Sequence, residues 1–288
     1  MLCQPMTETI ILTPLFSMVG CGLRHRRRIT LQTIVRAQQH EGTPGCGQCR
    51  KSATEFDLSF AFQPIVKAST RTVVSYEALA RGSKGQGFAH VAAQLNDDNL
   101  YHFDQRCRVK AIELATQLGL QVDLNINFSP NAVYRPELCI RTTLEAAEKY
   151  GFPVERIHFE VTESEEVREK AHLTNILAYY KKRGFTTAID DFGAGYSGLN
   201  LLAEFQPDYI KIDRVLVDQI DLHAVKQAIV DGVLHTCNKL GIGVLAEGVE
   251  RREEYQWLKG AGVDLFQGYY FARPGFEQLP QVPAELFD

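Results

Sequence analysis

The chain has little that would carry it into a membrane or out of the cell. Its longest uncharged stretch among 288 residues is Thr9–Leu23. Those fifteen residues, as a helix, would span roughly 22 Å against a bilayer core of about 30 Å, and Pro14 interrupts them. A secretory leader carries basic residues ahead of its apolar run, whereas here Glu8 precedes it and Arg24 follows. With only 11 Pro and 22 Gly, and 45% hydrophobic residues, the composition argues against collagen, coiled coil and a chain disordered throughout. No short repeat or low-complexity tract is present. The expectation is a soluble, cytoplasmic protein with no membrane span.

A disulfide framework is lacking too. Seven cysteines, an odd number, are scattered through apolar or helical contexts. Cys46-Gly47-Gln48-Cys49 has the spacing of half a zinc site or a redox pair, but no second CxxC or HxxxH accompanies it. Two thiols in an arm are the simpler reading.

Net positive charge is lacking over most of the chain. The net charge is −4, yet residues 1–53 hold seven basic residues against two acidic ones. The remaining 235 carry 24 basic and 33 acidic residues. An acidic body is a poor general nucleic-acid binder, because displacing counterions from polyphosphate takes Lys and Arg. Excess carboxylate favours a metal site instead. The run Arg24-His25-Arg26-Arg27-Arg28 reads as a solvated tail rather than as a site for an anionic partner.

Regular hydrophobic periodicity begins near residue 55. We therefore expect a basic, partly disordered arm over 1–53 and one domain over 54–288, close to the size of a (β/α)8 barrel. Eight β-branched, apolar runs recur at Phe60–Val66, Thr72–Ala78, Gln121–Phe128, Arg156–Val161, Thr186–Asp191, Tyr209–Ile212, Gly243–Ala246 and Leu265–Phe271. From the second onward, the intervals between them are long enough for helices. Asp104–Leu118, Leu144–Tyr150, Leu173–Arg183 and Val215–Leu240 read as such, each followed by Gly. Alternation of this kind argues for a parallel sheet. Only Lys67–Arg71 separates the first two runs. A parallel crossover needs a dozen residues or more, so these two should form an antiparallel hairpin. The prediction is a TIM-like α/β barrel with its first strand reversed.

Polar residues then stand at or beside the strand ends, Glu77, Asn127, Glu160, Asp190-Asp191, Lys211 and Glu247, with Gln63 inside the first run and Gln267 inside the eighth. In a barrel, the C-terminal ends of the parallel strands converge on one mouth. A single strand-end carboxylate usually caps a helix or faces water. So many at consecutive ends would repel one another unless cations offset them. An all-oxygen ligand set favours Mg²⁺ or Mn²⁺ over zinc. An adjacent Asp pair can serve two ions about 3.5–4 Å apart. Lys211 would orient or activate a water, or neutralise a developing oxyanion.

These residues lie in motifs that carry a resemblance. Phe62-Gln63-Pro64-Ile65-Val66, Tyr76-Glu77-Ala78-Leu79-Ala80-Arg81, Asn127-Phe128-Ser129 and Glu160-Val161-Thr162-Glu163 follow one another in order. Asp190-Asp191-Phe192-Gly193-Ala194-Gly195-Tyr196-Ser197, Lys211-Ile212-Asp213, Ala246-Glu247-Gly248-Val249-Glu250 and Gln267-Gly268-Tyr269 continue the series. From about Phe60 to Pro274, the chain resembles the EAL domain, the cyclic di-GMP phosphodiesterase family, and within it the subgroup fused to blue-light sensors. That resemblance implies two-metal hydrolysis of cyclic di-GMP to linear pGpG with Mg²⁺ or Mn²⁺, and inhibition by Ca²⁺. It implies Glu77, Asn127, Glu160 and Asp190 as ligands of one ion, and Asp190, Asp191 and Glu247 as ligands of the other. Lys211 would contact the attacking water, with Glu247 or a bridging hydroxide as base. Gln63, Arg81 and Gln267 would hold the substrate, and Glu163 would brace the loop from Asp190 to Leu199. The resemblance also implies a homodimer with that loop near its interface.

Two departures stand out. Gly82 occupies a position where many members carry Trp, and Gly85–Tyr101 lacks the usual proline-containing pattern. Residues 1–53 are too short for a flavin, PAS or GGDEF sensor. The rival readings are an EAL domain that binds cyclic di-GMP or a protein partner without hydrolysis, and another metal-dependent barrel such as an enolase-like enzyme. The first is disfavoured because the acidic residues are all kept. The second is disfavoured by the Lys-Ile-Asp and Gln-Gly-Tyr motifs and by the hairpin opening.

Overall fold

The computed structural model describes residues 56–288, apart from 97, 163–169 and 196–197. The arm, its boundary near Thr54, the Cys46/Cys49 pair and Glu163 lie outside the described residues. Cys107, Cys139 and Cys237 are buried free thiols.

Among the described residues nine strands form one sheet: β1 (Ser59–Lys67), β2 (Thr72–Arg81), β3 (Asp123–Asn127), β4 (Ile157–Thr162), β5 (Thr186–Phe192), β6 (Tyr209–Ile212), β7 (Gly243–Ala246), β8 (Leu265–Phe266) and β9 (Gly275–Phe276). Strands β2 to β8 run parallel in sequence order, and β1 closes the ring by pairing antiparallel with both β2 and β8. The fold is a TIM-like barrel with one reversed strand. Its reversal follows from the short Lys67–Arg71 link, in which Arg71 adopts φ +57° to complete the turn.

The crossovers contain α1 (Leu100–Gln117), α2 (Arg141–Tyr150), α3 (Lys170–Lys182), α4 (Gly198–Glu204), α5 (Ala224–Leu240) and α6 (Arg252–Gly260). Two sequence expectations needed correction here. The helix expected over Val215–Leu240 is broken into a short turn at Arg214–Val217, a 3₁₀ turn at Ile220–Leu222, and α5. Tertiary bonds replace helical ones at the break. Gln219 turns to φ +55° and its N–H donates to the Glu254 carboxylate at 2.9 Å.

The last strand, expected over Leu265–Phe271, is regular only through Phe266. Beyond it the backbone wraps around Val249, which donates to Gln267 O and accepts from Tyr270 N. A Cβ on Gly268 would lie 2.0 Å from the Val249 carbonyl oxygen, so only glycine permits this approach. The edge of β1 left open by so short a β8 is taken up at its other end by β9, through Ala61↔Phe276 and Phe62↔Gly275.

Between the barrel and its shell lies a buried ion pair. Arg108 of α1 places Nη2 2.7 Å from the Asp104 carboxylate and donates through Nη1 to the Tyr180 hydroxyl at 2.9 Å. Its guanidinium stands 5.0–5.7 Å from the ring centroids of Phe159, Phe128 and Tyr180. Asp104 in turn accepts the Ser129 N–H at 3.0 Å, which ties α1 to the loop after β3. Burial pushes the Asp104 carboxyl up despite its partner. Replacing Arg108 by Met strands that carboxylate, and breaking a buried pair in this way costs about 3–5 kcal/mol. Urea unfolding should register the loss; a change under about 1 kcal/mol would show that the pair is dispensable.

Candidate active site

The carboxyl ends of the parallel strands bring five acidic side chains together at one mouth of the barrel. Oxygens of Glu77, Glu160 and Asp190 lie within 4.8 Å of one another, as do those of Asp190, Asp191 and Glu247. Asp190 belongs to both groups. Strand register explains most of this: Glu77 pairs with Asn125, Asn127 with Glu160, and Thr162 with Asp190.

Asp191 needs a separate account. Neighbouring side chains on a strand point to opposite faces. At Asp191 the backbone turns to φ +54°, a conformation that Asp tolerates better than most residues, and the β5–β6 pairing slips between Ile189 and Phe192. Both members of the Asp pair therefore reach the mouth. The Asp191 N–H is held by Asp190 Oδ1 at 2.9 Å.

Lys211, fully buried on β6, stands at the centre. Its Nζ is 3.0 Å from Asp190 and 3.1 Å from each of Glu77, Glu160 and Glu247. Burial alone would favour the neutral amine, but the surrounding carboxylates outweigh it and raise the lysine's pKa well above its ordinary value. The lysine is therefore charged. One positive charge among five carboxyls is too little, since like charges about 4 Å apart repel by roughly 4 kcal/mol even at an effective dielectric of 20. The acids respond accordingly. Burial, reinforced by the neighbouring acids, pushes Glu160 up to about 8 and Asp191 up to about 6. The same forces raise Glu247 well above its ordinary value.

The amides complete the site. Asn127 donates to Glu77 Oε1 at 2.7 Å, and Gln267 donates to Glu77 Oε2 at 2.7 Å. Gln267 also reaches Gln63 Oε1 at 3.3 Å, and Gln63 donates to the Ala272 carbonyl. Gln63 and Gln267 are thus buried against Glu77. Arg81 sits higher, with Nη1 on its neighbour's carbonyl, beside a cavity of about 470 Å³ that reaches from Glu77, Asn127, Asp190 and Glu247 to Phe88, Leu95 and Phe103. At Gly82 a side chain would have to displace the Gln86 amide, 2.4 Å from a built Cβ, and the His90 ring.

Two buried residues beneath the acids went unread in the sequence: Asn125 and Tyr209, which both bond Glu160 Oε1. Neither closes a strand run: Asn125 lies mid-strand and Tyr209 opens β6, where the strand-end pattern gives no signal.

The donor set suits hard divalent cations. It offers only carboxylate and amide oxygens, has surplus negative charge, and includes two buried oxygens without a hydrogen bond, Glu247 Oε2 near Lys211 and Gln267 Oε1.

The family model for the EAL domain matches residues 48–274. The chain belongs to the EAL family. Among curated relatives, the blue light- and temperature-regulated antirepressor BluF of Escherichia coli is 32% identical over 235 residues, covering 81% of this chain and 58% of BluF. The probable cyclic di-GMP phosphodiesterase PdeN of Escherichia coli is 30% identical over 231 residues, covering 74% of this chain and 43% of PdeN. The chain thus spans about half the length of these two EAL relatives. Among solved structures, a standalone versatile EAL protein from Vibrio cholerae O395 in its c-di-GMP-bound form superposes with a TM-score of 0.79 at 54% identity, covering 82% of this chain and all of that one. A manganese/cyclic di-GMP complex of Klebsiella pneumoniae BlrP1 gives 0.74 at 37% identity, covering 81% of this EAL chain and 59% of BlrP1. No helix among the described residues is long and apolar enough to cross a membrane.

Proposed function

We propose that the protein hydrolyses one phosphodiester of cyclic di-GMP to give linear pGpG, acting in the cytoplasm. The observation that carries this reading is the convergence of Glu77, Glu160, Asp190, Asp191 and Glu247 around the buried Lys211, in two oxygen clusters that share Asp190. Relatives named as cyclic di-GMP phosphodiesterases, and related structures that hold the dinucleotide, support the choice of substrate.

Glu77, Asn127, Glu160 and Asp190 would hold one divalent cation, and Asp190, Asp191 and Glu247 the other. Bound there, Mg²⁺ or Mn²⁺ would supply the charge that acidifies water and offsets negative charge building on the phosphoryl oxygens. Lys211 would donate to the attacking water and fix its line of approach. Glu247 would accept the water's proton. The water oxygen bonds to phosphorus as the bond to the 3′ oxygen breaks, and that oxygen takes up a proton. Arg81, with a planar fork suited to bidentate phosphate contact, would hold the substrate from the cavity wall. Gln63 and Gln267 would exchange some of their present contacts for its polar groups. Glu163 would brace the Asp190–Leu199 loop, and a second copy of the chain is the expected partner.

BluF's name as an antirepressor favours a second reading, a module acting through protein contact without turnover. Retention of every acidic ligand position weighs against it. The two readings separate on metal dependence. Hydrolysis should need Mg²⁺ or Mn²⁺, while Ca²⁺ should allow substrate binding yet block turnover, because its looser coordination does not enforce in-line geometry. Full activity in excess chelator would overturn the two-metal reading.

A further inference from the structure

Two polar side chains inside the barrel have no part in the roles above. Asn125 is 1% exposed and Tyr209 8%. Asn125 Nδ2 donates to Glu160 Oε1 at 2.6 Å and also to the Tyr209 hydroxyl, and that hydroxyl donates to the same Oε1 at 3.1 Å. The three groups close a triangle on one oxygen of Glu160. The other oxygen, Oε2, faces Lys211 at 3.1 Å.

A carboxylate swings freely about its last torsion, for which staggered wells give little guidance. Two donors on Oε1 remove that freedom and fix where Oε2 lies. Packing alone does not call for them. The Tyr209 ring belongs to an apolar cluster with Ile65, Ala188 and Leu245, where a phenylalanine ring would fill the same space. A buried tyrosine hydroxyl is kept where it has a partner, and here the partner is an acid of the site.

We infer that Asn125 and Tyr209 are positioning residues that orient Glu160 toward a divalent cation. The inference rests on the proposed metal site and adds to it the groups that aim one of its ligands. Outer partners of metal ligands typically contribute 10–100-fold to metal affinity or activity.

The test is a calorimetric titration of Mn²⁺ into the full chain, for wild type, Tyr209→Phe, Asn125→Ala and the double variant, with the Tm of each metal-free protein measured alongside. Each single change should weaken Mn²⁺ binding by about tenfold or more. The double variant should lose less than the product of the singles, because both donors serve one oxygen. Tyr209→Phe should keep the wild-type Tm to within a few degrees, since its ring packing survives. In turnover, kcat should fall while KM for cyclic di-GMP holds. Mn²⁺ affinity within about twofold of wild type in both singles would overturn the inference, whatever the Tm does. Should the wild type bind no Mn²⁺, the metal site fails and the inference with it; a wild type that binds beside unaffected variants overturns only the positioning role.

Discussion

Glu77→Ala is expected to abolish hydrolysis. The carboxylate receives three contacts: Asn127 at 2.7 Å on one oxygen, and Gln267 at 2.7 Å and Lys211 at 3.1 Å on the other. Removing it takes an acidic donor out of the Glu77, Glu160 and Asp190 cluster, so the attacking water is neither activated nor placed. Losing metal activation raises a barrier by several kcal/mol, and each 1.36 kcal/mol is a factor of ten in rate. The drop in kcat should therefore exceed about a thousandfold. Arg81→Ala provides the contrast. Arg81 lies at the cavity and outside the acid cluster, so its loss should raise KM much more than it lowers kcat. Near-wild-type turnover in Glu77→Ala, with metal dependence intact, would show that the ions sit elsewhere.

Lys211→Met should have the second large effect, and on two observables at once. The side chain is completely buried and holds four carboxylates within 3.1 Å. Methionine keeps most of its volume and removes its charge. Stranding buried charges costs about 3–5 kcal/mol per broken pair unless protons or cations replace the lost partner. The metal-free variant should therefore melt well below wild type, and Mn²⁺ should raise its Tm by more than it raises the wild-type value. Turnover should remain lost even at saturating metal, because the added charge does not restore the donor to the attacking water. An unchanged metal-free Tm would contradict the electrostatic account of the site. Restored turnover would contradict the role given to the lysine.

Much of this architecture was legible in the sequence, for identifiable reasons. Five residues between the first two apolar runs admit only a hairpin, so the reversed strand follows from chain length. Eight apolar runs, with helical intervals from the second onward, leave a barrel as the economical solution, and the barrel rule carries the strand-end acids to one mouth. What escaped notice depended on tertiary contacts. The break at Asp218–Gln219 is stabilised by Glu254, thirty-five residues away along the chain, and no local pattern signals it. The final strand stops at Phe266 because the chain turns to bond Val249. In the Asp pair, both carboxylates face inward only because Asp191 leaves extended geometry, which alternation along a strand does not foretell. Asn125 and Tyr209 were hidden by position, one in mid-strand and one at a strand start.

The most direct test of the central claim is chromatography of the products after the full chain is incubated with cyclic di-GMP and Mg²⁺ or Mn²⁺. Cyclic di-GMP should be consumed, linear pGpG should accumulate in equal amount, and neither should happen in excess chelator. Intact cyclic di-GMP in the presence of folded, metal-supplemented protein would contradict the account.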